Sequence, residues 1–178
     1  MSADFQRIDS KTAWEGRIVS ARVERWRYAD GEEVEREVLG HPGAVAVVAH
    51  DDEHVWLVRQ PREAVGDPAL LELPAGKLDV EGEPPQTTAQ RELAEEIGKR
   101  AASWRELEAF YTSPGFSDER VIVYLATGLT DAPDGPQPDE GERIEIVPWP
   151  LERLQEAIDA CQDAKSLIGL LALSALRR

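Results

Sequence analysis

The stretch from Pro84 to Gly98 constrains this chain more than any other. Two prolines open it, and proline suits the first helical turn because its missing N–H would have no partner there. From there the apolar period is 3.6: Ala89, Leu93 and Ile97 form one stripe at i, i+4, i+8. Such a stripe must be buried against something, and the flanking chain reads as strands. Residues 14–28 alternate apolar and polar, turn at Ala29-Asp30-Gly31 and continue over 33–39, so they predict an N-terminal hairpin. Pro42-Gly43 opens AVAVVAH, an apolar run too short for a helix and suited to a buried strand. Residues 55–62 and 70–73 follow as strands, the second ended by Pro74-Ala75-Gly76. Beyond the helix, 104–111, 121–127 and 144–149 read as strands, 130–141 as a loop, and 151–161 and 166–176 as helices. Strands separated by single helices, with helices at the end, predict an α/β (α+β sandwich) fold: a mixed β-sheet between helices.

Composition narrows the function. The 178 residues suit one domain with a small accessory segment, and 42% hydrophobic content supports a core. The formal charge is −15, with 35 acidic against 20 basic residues and no long basic run, which disfavours nucleic acid and anionic membranes as partners. The single cysteine, Cys161, excludes an intrachain disulfide and sits in an apolar helical stretch, so it is expected in the core. The first residues lack an apolar signal region and no run reaches a membrane-spanning length, so the expected location is the cytoplasm.

Glu92, Glu95 and Glu96 lie at i, i+3, i+4, so their carboxylates share the helix face away from the apolar stripe. Three carboxylates on one face suit a hard cation such as Mg²⁺. A merely solvated acidic face is also compatible, since like charges at this spacing cost only about 0.2–0.5 kcal/mol per pair. The loop before the helix adds Gly76, with its conformational freedom, and Asp79, Glu81 and Glu83.

Together these residues resemble the Nudix box, G-x5-E-x7-R-E-U-x-E-E-x-G-U. Glu83, seven residues, and then Arg91-Glu92-Leu93-Ala94-Glu95-Glu96-Ile97-Gly98 match in order. Two positions depart: six residues, not five, separate Gly76 from Glu83, and Lys99 stands where an aliphatic residue is usual. LELPAG before the box, VRQPR upstream, SPGFSDE downstream and DAKS near the C-terminus resemble the ADP-ribose pyrophosphatase branch.

The resemblance implies a Nudix fold over 41–178 and a dimer-forming N-terminal β segment over 1–40. It implies Mg²⁺, with Mn²⁺ an alternative, held by Glu92, Glu95, Glu96 and the carbonyl of Ala75, with Glu142 a further ligand. Gly76, Glu83 and Arg91 would be structural, Glu83 pairing with Arg91 to brace the loop. Glu140 would be the catalytic base, acting with Glu92 and Glu96. Arg62, Glu119, Gly115 and Trp26 would touch substrate: Arg62 at phosphate, Glu119 at the terminal ribose or a metal, Trp26 at the base. The implied reaction is hydrolysis of ADP-ribose to AMP and ribose 5-phosphate by a cytoplasmic homodimer. The competing readings are another nucleoside diphosphate-X such as a nucleotide sugar, a non-catalytic nucleotide-binding Nudix module, and an acidic interaction domain.

Overall fold

The computed structural model describes residues 4–138 and 141–178. The chain forms two compact units, Met1–Gly43 with Tyr111–Arg120, and Ala44–Phe110 with Val121–Arg178. Among the described residues no helix is long and apolar enough to cross a membrane.

The first unit is an antiparallel sheet in the order β1-β2-β3, from Phe5–Glu15, Ser20–Tyr28 and Glu33–Gly40. β2 and β3 form the expected hairpin, but the strand expected over 14–28 is broken: residues 14–15 belong to β1, and β2 begins only at Ser20. β1 is an addition that the sequence reading missed, for a physical reason. Its register against β2 shifts between Arg7 and Asp9 and again between Thr12 and Trp14. Each irregularity breaks the period-2 alternation by which a strand is recognised. Residues 111–120 complete this unit: Leu39 N–H donates to Phe116 O (2.7 Å), and Asp118 accepts from His41 N–H (2.8 Å) and Arg22 Nη2 (2.7 Å).

The second unit is built on a mixed sheet in the order β10-β5-β4-β9-β8, with β6 added to β5 and β7 to β4. These strands are β4 (Ala44–His50), β5 (His54–Arg62), β6 (Asp67–Glu72), β7 (Ala75–Lys77), β8 (Lys99–Tyr111), β9 (Arg120–Asp131) and β10 (Glu145–Pro150). β4 runs parallel to β9 and antiparallel to β5 and β7. β8 starts five residues before the predicted strand at 104, directly after the helix. Ala75-Gly76 does not simply end a strand but opens β7.

β4 explains the layering. Ala44, Ala46 and Val48 point into one apolar cluster, and Val45, Val47 and Ala49 into another. Both faces are therefore dry, as expected for an uninterrupted apolar run. Helix α1 (Pro85–Ile97) covers the second cluster with Ala89, Leu93 and Ile97, all buried. Helices α2 (Leu154–Ala160) and α3 (Ala164–Leu176) cover the first, where Cys161 lies buried as expected. α1 begins with Pro85 in its first turn and stops at Gly98, whose φ of 65° and N–H to Ala94 O (3.0 Å) form a left-handed cap. Lys99, the second departure from the box, lays its Nζ 4.3 Å above the Trp56 ring and pairs with Asp131 at 2.6 Å. Its stem thus does the covering an aliphatic residue would do.

α3 approaches the sheet at Gly169, where a Cβ would lie 2.6 Å from Leu73 and 2.9 Å from Val48. Gly169→Val is expected to lower stability by about 1–3 kcal/mol through overpacking. Urea denaturation checks this, as a lower midpoint at unchanged slope.

Candidate active site

The stripe that buries Leu93 turns Glu92 and Glu96 toward β7, while Glu95 pairs with Arg91. Glu96 is 4% exposed, and its Oε2 accepts the Ala75 N–H at 3.0 Å. Glu92 lies over Gly76, where a Cβ would come within 2.0 Å of Glu92 Oε1 and 2.3 Å of its Cγ. Gly76 was expected for its backbone freedom. It sits instead in an extended strand paired with Val45, without positive φ, and is required because a carboxylate occupies its side-chain space.

Arg91 ties the face together. Its Nη1 lies 2.9 Å from Glu92 Oε1 and 2.7 Å from Glu95 Oε2, and its Nη2 lies 3.5 Å from Glu83. Glu83 also accepts from Thr88 Oγ1 at 2.7 Å. Burial works against the Arg91 charge, yet the charges of Glu92, Glu95 and Glu83 raise its pKa further. One guanidinium does not neutralise the cluster. Glu92 is pushed up to about 7, first by burial and then by Glu95 and Glu142, against the pull of Arg91. Glu96 is pushed up to about 8, chiefly by burial, with Glu92 and Glu142 adding to it and the Ala75 N–H opposing it.

Glu142 is therefore close enough to act electrostatically on both. Glu140 lies outside the described residues. Among the described residues no three acidic, His or Cys groups converge as they stand to hold a metal, because Arg91 lies between Glu92 and Glu95. The donor set nonetheless fits a hard divalent cation. It consists of carboxylate oxygens whose ionised forms are short of positive charge.

Beside this cluster lies a network whose roles sequence reasoning missed. Glu72, 1% exposed, accepts Arg62 Nε and Nη2 at 2.6 and 2.9 Å and Lys165 Nζ at 2.6 Å. Lys165 also reaches Asp163 at 2.9 Å. Asp163 caps α3 by accepting the Ser166 N–H (3.1 Å), and Ser166 Oγ accepts the Leu73 N–H (2.7 Å). The available signal was a glutamate inside the apolar run LLELP: a buried charge needs paired cations. One edge of Arg62 is committed to Glu72, so a substrate would meet its remaining N–H groups.

Trp26, Gly115 and Glu119 belong to the first unit. Trp26 and Gly115 line one cavity there, with Phe5 packed edge-on against Trp26 at 5.4 Å. Its floor holds Glu24, 2% exposed and bonded by Arg7 (3.0 Å) and Arg22 (3.1 Å), a buried acid the sequence did not flag. Glu119 does not line that cavity; it accepts from Thr112 Oγ1 at 2.7 Å and lies 3.6 Å from His41 Nδ1.

Comparison with known proteins adds four findings. Residues 40–168 match the NUDIX domain family. The chain is 51% identical over 129 residues to an ADP-ribose pyrophosphatase of Mycobacterium tuberculosis, which covers 72% of this chain and 62% of that relative, less than two thirds of its length. It is 38% identical over 172 residues to an ADP-ribose pyrophosphatase of Bacillus subtilis, covering 95% and 92%. A crystal structure of an ADP compounds hydrolase superposes with a TM-score of 0.83 over 97% of this chain and 94% of that one; at 20% identity this likeness concerns the fold.

The Glu72 network carries a pH signature. Burial alone would raise the Glu72 pKa, but the bonds and charges of Arg62 and Lys165 outweigh it and hold the carboxyl below its ordinary 4.5. A group with a lowered folded-state pKa stabilises fully above the unfolded value and loses that contribution as pH falls through the folded one. Glu72→Gln should therefore cost about 2 kcal/mol at pH 7, below the 3–5 kcal/mol of a fully buried pair because Arg62 is partly exposed. The gap to wild type should shrink on acidification below 4.5. Urea unfolding at pH 7 and pH 3 measures it; an equal gap at both would reject the assignment.

Proposed function

Because the chain belongs to the NUDIX family, we propose that it is a pyrophosphohydrolase that splits ADP-ribose into AMP and ribose 5-phosphate. The observation that carries this reading is the under-neutralised carboxylate cluster of α1, pressed against the Ala75-Gly76 strand. The names of the two bacterial relatives support the choice of substrate.

Glu92, Glu95, Glu96 and the Ala75 carbonyl would hold Mg²⁺, with Glu142 a further ligand and Mn²⁺ a substitute. When bound, the cation neutralises charge on the phosphates and makes water a stronger nucleophile. Arg62 orients the diphosphate by its outer N–H groups while Glu72 keeps the guanidinium in place. Glu140 removes a proton from the attacking water. The water oxygen bonds to one phosphorus, the P–O–P bridge breaks, and the bridging oxygen leaves with the other phosphate. Glu83 and Arg91 brace the loop and helix. Trp26, Gly115 and Glu119 are proposed substrate contacts carried by the first unit, and segment 1–40 is proposed to form a cytoplasmic homodimer.

Assays of ADP-ribose, ADP-glucose, diadenosine polyphosphates, NADH and 8-oxo-dGTP, each with Mg²⁺ and with chelator, test the reading. ADP-ribose should be cleaved fastest, and chelation should stop it; no metal-dependent cleavage of any of them would overturn the proposal. Glu140→Gln should lose roughly 10²–10⁴ in kcat while still binding substrate. Mg²⁺ should raise the melting temperature of wild type by mass action but not that of Glu96→Gln; equal shifts would remove Glu96 from the metal site.

A further inference from the structure

Gln60 is a buried polar group outside both the α1 carboxylate cluster and the Glu72 network. It is 8% exposed, and its Nε2 has no hydrogen-bond partner among the described residues. A buried amide left without a partner costs about 1–3 kcal/mol, so such groups in native folds normally have a use.

Its position suggests which use. Trp56 and Val58 of β5 belong to the cluster beneath α1, and strand alternation carries that face on to Gln60. Gln60 is therefore on the side of the sheet where α1 carries Glu92 and Glu96. Opposite Leu70 the β5–β6 register is regular, and it shifts before Arg62. The extra residue lies on β6, so Arg62, two positions on, keeps the face of Gln60, and the two line one cavity together with Glu142 and Arg143. Gln60 is held in place by its burial, whereas Arg62 is anchored by Glu72.

We propose that the Gln60 side-chain amide is a substrate-binding group that donates a hydrogen bond to a diphosphate oxygen beside Arg62. A neutral donor there adds recognition without another cation, in a cavity that already contains Arg62 and Arg143. Its burial leaves the amide few alternative rotamers, so little entropy is lost on binding. The inference rests on the reading that the site takes a diphosphate.

Gln60→Met keeps the length and bulk and removes the donor. Three measurements on wild type and this variant test the proposal: urea stability, kcat and KM for ADP-ribose with Mg²⁺, and calorimetric binding of inorganic pyrophosphate with Mg²⁺. The expected result is stability equal to or above wild type, KM and the pyrophosphate Kd raised about tenfold, and kcat within about twofold. A variant that is less stable with unchanged KM and Kd would make Gln60 a structural residue and overturn the proposal. So would a fall in kcat alone, which would place Gln60 behind a catalytic group rather than on the substrate. If wild type binds pyrophosphate but does not cleave ADP-ribose, the substrate reading fails, and the pyrophosphate affinities alone decide the role of Gln60.

Discussion

The apolar stripe of α1 sets the rest of the site. Ala89, Leu93 and Ile97 are buried against β4 and its neighbours, and burial of side chains of this size is worth several kcal/mol in total. The helix therefore has one allowed rotation. Glu92 adjoins Leu93 and Glu96 adjoins Ile97 in sequence, so the helix cannot roll either residue away from β7 without unpacking its neighbour. The hydrophobic effect, which has no interest in charge, presses two acids against the backbone at Ala75 and Gly76.

Two charge networks flank Pro74, and they shift the same residue type in opposite directions. Glu72 has a guanidinium and an ammonium, and its pKa is lowered despite complete burial. Glu92 shares Arg91 with Glu95 and Glu83, Glu96 has only the more distant charge of Arg62, and both pKa values are raised. Burial raises all three, so the balance of neighbouring cations and carboxylates decides the sign. One side is saturated and acts as a clamp between β6, β5 and the start of α3. The other retains a need for positive charge.

Much of this was legible in the sequence where a single periodicity governed the residue. The stripe of α1, the doubly buried β4, the hairpin of β2 and β3 and the buried Cys161 all follow from local pattern. β1 did not, because two register shifts scramble its alternation. The shared face of Glu92, Glu95 and Glu96 follows from helical spacing, but their crowding by Arg91 does not. The reason for Gly76 was invisible because it depends on a side chain sixteen positions away. Glu72 with Lys165 and Gln60 with its cavity are long-range relations that no window of sequence contains, although a glutamate in an apolar run could have raised the question. Glu140 lies outside the described residues, and its assignment rests on the family resemblance and the spacing Glu140-x-Glu142 alone.

Gly76 separates the placement of Glu92 from foldedness. A methyl group at that position would meet the flexible end of Glu92, not the backbone, so the carboxylate could swing aside with little disturbance to packing. Chaperones and proteases discriminate by exposed apolar surface, and such a variant would expose none. Its lesion would pass cellular quality control undetected, leaving full-length, well-folded protein at normal abundance with Glu92 displaced from the strand.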